Sequence, residues 1–443
     1  MNGSREHFGS RAAVIMAMAG SAIGLGNIWR FPYIVGRYGG AAFILIYILC
    51  CLLLSLPILF SESIIGRRTH RNTFGAMDAL APGSPWKWLG LLTVISPIII
   101  LSYYSVVGGW SIEYLFKSLT FQFRPDNAGE VTGMFAAFSS SHFKVIACLL
   151  LFLGMTAGIV FAGVKKGIER FSKVTIPVLF ILILVIAVYS MTLPGSSEGV
   201  KYLVRPDFSK LTPDAFAAAL GQSFFSLSLG VGTMLTYSSY VSKEENLVAS
   251  GTGTAVSDLL FAILAGFAVM PAVFASGIEP SAGPGLVFET LPYVFAKMGS
   301  GGMVLSAVIA ILFFITILVA ALTSSISMME VGVAYLSEEK GLSRSAATAG
   351  IFVFALVVGI LCALYSGVFD FLDKLCSNFL LTLGALLFSV FVGWKMKKED
   401  VKDELTNGGT LHTNGKLFPI VYFLIKYVAP VSIAVIFISG LLG

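Results

Sequence analysis

Six side chains with neutral oxygens, Ser21, Asn27, Ser226, Ser228, Thr323 and Ser324, lie within strongly apolar stretches of the chain. Hydroxyls and carboxamides are hard, uncharged donors, and they suit Na+ better than a transition metal. Four ionisable residues, Arg30, Glu62, Asp258 and Asp373, fall within or at the ends of similar stretches. A charge costs free energy there and marks function unless it serves a structural ion pair. The four histidines, His7, His70, His142 and His412, all sit in loop-like sequence, and the five cysteines show no CxxC spacing. A His- or Cys-based metal site is therefore not expected. Neither GxSxG nor HExxH occurs, and no pair of acids is spaced for hydrolysis, so the chain does not read as an enzyme.

Glycines interrupt the segments that carry these oxygens. Ala22-Ile23-Gly24-Leu25-Gly26 is echoed by Ser228-Leu229-Gly230-Val231-Gly232. Each glycine weakens a helix by about 1 kcal/mol relative to Ala. Backbone groups freed at a break persist in a bilayer only where they line a cavity or bind something. Close helix packing is the other use of such glycines, but matched pairs favour two broken helices that face each other at the membrane midplane.

The elements that would hold these breaks are membrane spans. Of 443 residues, 56% are hydrophobic and 12% charged, too few charges for a dispersed soluble surface. Nothing resembles a basic, aromatic-interleaved nucleic-acid surface. Apolar segments near 12–36, 41–65, 90–116, 143–162, 168–193, 214–240, 248–276, 301–336, 346–365, 370–394 and 417–440 predict eleven transmembrane helices in an all-α polytopic protein. With the N-terminus inside, 18 Lys and Arg fall on the cytoplasmic side and 10 outside, which predicts an inside N-terminus and an outside C-terminus. Segments 12–193 and 214–394 are nearly equal in length and each holds five helices. They therefore enter the membrane from opposite sides as an inverted repeat, leaving 417–440 as an extra helix. By this orientation Arg30 and Asp373 lie toward the outside, and Arg5 and Glu338 toward the inside. Each pair either closes one mouth of a pathway or is a structural ion pair.

The motifs themselves resemble a known family. Arg5-Glu6-His7-Phe8, the run Met18 to Tyr33, Gly39-Gly40, Tyr103-Tyr104, Gln222 to Gly230 and Leu322-Thr323-Ser324-Ser325 are similar, in order, to the neurotransmitter:sodium symporter family. The resemblance implies a LeuT-type 5+5 inverted repeat with helices 1 and 6 broken, and sodium-coupled uptake of a small solute. It implies a first sodium site from the Ala22 carbonyl, Asn27, Ser226 and Asp258, completed by a substrate carboxylate. A second would use the Gly20 and Ile23 carbonyls with Ala320, Thr323 and Ser324. Substrate would lie against Ser21, Ala22, Gly24, Leu25, Gly26, Ile100, Tyr104, Phe225, Ser226, Ser228, Val231, Ser324 and Met328. Tyr104 would bond the carboxylate and Phe225 would act as a lid. Arg30 with Asp373 resembles an outer gate and Arg5 with Glu338 an inner one, though the family more often has Asp at the inner position. Glu62 resembles the acid that accepts N–H groups at the break in helix 6.

Three details narrow the expectation. Gly24 stands where amine-carrying members have an Asp, so an amino acid is expected. Asp258 stands where Asn is usual, so its fixed charge predicts transport without a chloride requirement. Val231 and Met328 at the far end of the pocket point to large apolar or aromatic substrates. Gly167 and Pro177 bracket a turn that could unwind to hydrate the second sodium site, or simply kink and pack. The short loop between helices 3 and 4, without a glycosylation site or Cys pair, argues against an animal cell-surface protein, and the resemblance to short eleven-helix bacterial members implies a bacterial cytoplasmic membrane. Partners expected are the amino acid, Na+ and lipid, with no nucleic acid and no obligatory protein partner. A passive channel or a substrate sensor on the same architecture are the competing readings.

Overall fold

The computed structural model describes residues 7–124, 128–131, 133–277, 287–298 and 303–442. Among them every element is helical. The principal helices are α1 (Arg11–Ala22), α2 (Gly26–Arg37), α3 (Ala41–Thr69), α4 (Thr73–Leu80), α5 (Lys87–Leu119), α6 (His142–Phe161), α7 (Val164–Met191), α8 (Ser196–Val204), α9 (Pro213–Ser226), α10 (Thr233–Ser238), α11 (Leu247–Ala275), α12 (Val304–Glu339), α13 (Arg344–Leu364), α14 (Ser366–Lys395), α15 (Lys398–Thr406) and α16 (His412–Ile438). Among the described residues nine helices are long and apolar enough to cross a membrane, and α1 with α2 makes a tenth as one span bent by 55°. The remaining expected segment, 214–240, is divided between α9 with 14 residues and α10 with 6. Neither part reaches the roughly 20 residues that a bilayer core demands of one helix.

Both interruptions have local causes. Helix α1 starts on Ser10, whose hydroxyl accepts the Ala13 N–H at 3.2 Å. It stops at Ile23, where ψ turns to 109° and the backbone becomes extended. Asn27 then stabilises the break, its Oδ1 accepting the Gly24 N–H at 3.0 Å. The chain re-enters helix through a π-wound turn, Gly26–Arg30. Between α9 and α10 the backbone becomes left-handed at Ser228 (φ 51°), Gly230 (φ 78°) and Gly232 (φ 71°). Glycine adopts such angles freely, whereas serine is strained there. Ser228 is held by its own hydroxyl, which donates to the Ser21 carbonyl at 2.9 Å.

Helix α1 is surrounded by α7, α11 and α12, while α12 lies along α5 and α10 against α3. Six α1 residues from Ala17 to Ala22, polar Ser21 included, and the following Ile23 are consequently buried. Outward-facing Leu150, Ile181, Val357 and Val431 are exposed large apolar side chains on α6, α7, α13 and α16. Lipid solvates such a surface and water does not, and the chain is an integral membrane protein.

Candidate functional site

The two breaks meet. Asn27 turns its Nδ2 toward α9 and α11, donating to Ser226 Oγ at 3.0 Å and to Asp258 Oδ1 at 2.7 Å. Ser226 Oγ also lies 2.8 Å from both Asp258 oxygens. Asn27, Ser226 and Asp258 are all buried, so this is a closed polar cluster around one carboxylate. The Ala22 backbone stands beside it at the end of α1. Asn27 Oδ1 has two lone pairs, so it can hold the Gly24 N–H and still offer the other lone pair to a cation.

A second cluster forms where α12 passes the break. Thr323 Oγ1 donates to the Ile23 carbonyl at 3.1 Å and lies 2.9 Å from the Ala320 carbonyl. Ser324 Oγ reaches the carbonyls of Ile23 and Ser21, each at 3.3 Å. Gly20 packs beside this cluster, where a Cβ would lie in ordinary contact, 3.5 Å from Thr323 Cβ. Five neutral oxygens thus converge with no carboxylate among them, a donor set suited to a hard monovalent cation. No cluster of three or more His, Cys, Asp or Glu occurs among the described residues.

Between these clusters lies a small cavity of about 40 Å3, walled by Ala22, Gly24, Leu25, Gly26, Ile100, Tyr104, Phe225, Ser226, Ser228, Val231, Ser324, Met328 and Leu381. Of the thirteen residues expected against substrate, only Ser21 is not in this wall. Its carbonyl faces the break, but its hydroxyl turns away and bonds Ser327 Oγ at 2.8 Å. Leu381 went unnoticed in the sequence, since nothing marks one leucine of an apolar helix. Gln222, whose Nε2 donates to the Gly26 carbonyl at 3.0 Å, was part of a motif but carried no assigned role. The glycines are sterically required. A Cβ on Gly24 would lie 2.4 Å from Ser324 Oγ, and one on Gly26 would lie 2.8 Å from the Phe225 ring.

Tyr104 and Phe225 also line a larger vestibule of about 170 Å3, together with Trp29, Arg30, Tyr33, Tyr103, Val107, Phe369 and Asp373. The two rings therefore partition vestibule from pocket. Tyr104 Oη accepts the Leu25 N–H at 3.2 Å. Arg30 and Asp373 face the same vestibule but form no ion pair within 4.0 Å. Arg30 instead stacks over Phe225, its guanidinium carbon 4.9 Å from the ring centroid. The structural ion pair considered for these two is thus absent, and charge lines an open vestibule.

Toward the other end, Arg5 lies outside the described residues, so its pairing with Glu338 has no geometry. Glu338 accepts the Asn72 N–H at 2.8 Å and the Asn72 side-chain amide at 3.0 Å. Nearby, Phe8 is buried against Tyr237 and Tyr240, and its N–H bonds the Tyr240 carbonyl at 3.0 Å. Glu62 accepts the Gly230 N–H at 2.7 Å and the Leu235 N–H at 3.4 Å, which ties the α9–α10 break to the first turn of α10. Gly167 sits in a π-wound turn, Val164–Glu169, where a Cβ would lie 2.1 Å from the Ile159 carbonyl. Packing alone thus requires glycine at 167. Pro177 is interior to the α-wound part of α7, Arg170–Met191.

The profile of the Sodium:neurotransmitter symporter family matches residues 5–132 and 127–443. The chain is 39% identical to YhdH of Bacillus subtilis, an uncharacterized sodium-dependent transporter, over 97% of its own length and 96% of that protein. It is 36% identical to an uncharacterized sodium-dependent transporter of Haemophilus influenzae over 99% of both. Among solved structures, MhsT in complex with L-phenylalanine superposes with a TM-score of 0.89 at 39% identity, covering 99% of this chain and 100% of that one. Sequence along the whole chain and helical architecture thus agree, and the chain belongs to the sodium:neurotransmitter symporter family.

Proposed function

We propose that the protein is a symporter that moves an amino acid and Na+ together into a bacterial cell by alternating access, without a chloride requirement. The observation that carries this reading is the meeting of two helix breaks around one apolar cavity, with oxygen clusters on either side of it. One cluster holds Asp258 and the other is neutral. A cation beside Asn27, Ser226, Asp258 and the Ala22 carbonyl would face the cavity, where a substrate carboxylate supplies a further ligand. A second would sit among Gly20, Ile23, Ala320, Thr323 and Ser324, tying α1 to α12. Asp258 supplies in fixed form the negative charge that an anion would otherwise bring, which removes the reason for chloride.

In this reading the chain spans the cytoplasmic membrane eleven times, with α1–α2 and α9–α10 as the broken first and sixth spans of a 5+5 inverted repeat. The N-terminus is cytoplasmic, and α16 is the added eleventh span. Arg30 and Asp373 would close the outer mouth over Phe225 and Tyr104, and the Phe8 and Glu338 end would be the inner one. The substrate side chain would lie against Ile100, Val231 and Met328, which suits a large apolar or aromatic residue; MhsT is a relative seen with L-phenylalanine. The cavity of about 40 Å3 favours a second, smaller choice such as alanine unless Met328 and its neighbours rotate aside.

Uptake of radiolabelled alanine, leucine, phenylalanine and tryptophan by protein in liposomes tests both. An inward Na+ gradient should drive accumulation above equilibrium, unchanged when gluconate replaces chloride. Sodium-dependent binding without accumulation would instead favour a sensor, and flux without concentration a channel.

A further inference from the structure

Accepting that reading of the pocket, we propose that Leu381, on a helix outside the two breaks, sets the size of the substrate side chain. Leu381 is 4% exposed, belongs to α14, and lines the cavity beside Val231 and Met328. Its inward position follows from an irregularity. Residues Leu375–Leu380 form a π-wound turn, closed by the Leu381 N–H donating to the Cys376 carbonyl five residues back. Such a turn holds one residue more than an α turn, so the helix beyond it presents a different face. Leu381, Gly384 and Ala385 share that face at helical spacing.

The same face is locked to the α9–α10 break. A Cβ on Gly230 would lie 2.0 Å from the Leu381 carbonyl, and one on Gly384 would lie 1.9 Å from the Gly230 carbonyl. The two backbones are therefore in direct contact, with Glu62 holding Gly230 from the opposite side at 2.7 Å. Backbone at this wall has no room to advance. A change of side chain at 381 is converted into pocket volume, whereas the same change beside flexible Met328 would be absorbed by rotation. Val231 shares the locked segment, so residues 231 and 381 together form the fixed part of the far wall.

The test is competitive uptake in liposomes by the full-length protein, comparing kcat/KM for tryptophan, leucine and alanine. Leu381→Ala should raise the tryptophan-to-leucine ratio by about tenfold or more, the worth of a few methylenes in an apolar pocket. Leu381→Met, which keeps volume, should stay within about threefold. Sodium half-saturation, read at saturating leucine, should change less than the tryptophan-to-leucine ratio in either, because Leu381 offers no oxygen to a cation. A purely structural role would lower all substrates together and leave the ratios unchanged, and that result overturns the proposal. Should Leu381→Ala not reach the membrane, Leu381→Val is read in the same way with a smaller shift. If the unmutated protein accumulates none of the amino acids, the symporter reading falls before any variant is compared.

Discussion

Gly24 and Asp258 are the positions where a single atom decides what the pocket can hold. A Cβ at 24 would meet Ser324 Oγ at 2.4 Å and Tyr104 Oη at 3.1 Å. Gly24→Asp should therefore abolish amino-acid uptake, because its carboxylate occupies the space and the charge that substrate would bring. Gly24→Ala should lower kcat/KM by at least about tenfold through the steric conflict alone. Asp258→Asn tests the charge. The carboxylate is buried and accepts from Asn27 and Ser226. Hydrogen bonds to a buried charge are worth about 1.5–3 kcal/mol, so apparent Na+ affinity should fall by about ten- to a hundredfold. Part of that loss should return when chloride is supplied to the variant, as measured by Na+ titration of uptake in chloride and in gluconate. Asp258 was conspicuous in the sequence as an acid in an apolar run and Gly24 as one of a glycine pair, while the roles expected of them came from the family resemblance. The direction of the Ser21 hydroxyl and of the Asn27 amide was not, because a residue type fixes its donors but not the rotamer that aims them.

Helix geometry explains which elements sequence patterns could and could not reveal. Glycine pairs announced both breaks, since a residue that both disfavours helix and tolerates positive φ leaves a trace in composition. Turns of π-helix leave none: Leu375–Leu380 and Val164–Glu169 read as ordinary apolar or amphipathic sequence. Hence Leu381 went unnoticed, and hence unwinding and packing stood as alternatives for Gly167 until the Ile159 carbonyl was seen against it. The expected unwinding of α7 is better tested at Pro177. Proline lacks the N–H that would bond the Lys173 carbonyl, and its ring crowds that turn. Pro177→Ala restores the bond and should slow Na+ release from the second cluster severalfold while leaving substrate affinity unchanged, as read by single-turnover efflux. Gly167→Ala should instead lower thermal stability, because the new methyl meets the Ile159 backbone. Equal effects of the two variants on release would argue that packing, not winding, governs this turn.

Across the whole molecule, the segment from α15 to the start of α16 ties distant elements together at the end proposed to face the cytoplasm. Arg67, at the end of α3, donates to Glu404 Oε2 at 2.7 Å and to Asn407 Oδ1 at 3.1 Å, and also bonds the Glu404 and Glu245 carbonyls. Asn407 returns bonds to the carbonyls of Glu244 and Glu245 at 3.2 and 3.1 Å. Asn414 joins Asn246, the residue that caps α11, to the Leu405 carbonyl. A polar run such as Lys398–Thr406 reads as solvated loop, so none of this was visible before the chain folded. Arg67 and Glu404 are 1% and 3% exposed, and breaking such a buried pair costs about 3–5 kcal/mol because the remaining charge stays buried. The two ends are not equivalent. Removing Glu404 leaves Arg67 with three oxygen acceptors, and removing Arg67 takes that donor from Asn407 Oδ1 and the Glu404 carbonyl, though Asn407 still serves the Glu245 carbonyl, while the Glu404 carboxylate keeps only Arg68 at 3.5 Å. Arg67→Met should therefore lower the melting temperature of detergent-solubilised protein more than Glu404→Gln does. The double variant Arg67→Met with Glu404→Gln should recover part of the loss, since no unpaired charge remains. If the two single changes were additive in the double, the pair would not be coupled, and this strap would be a set of independent surface contacts.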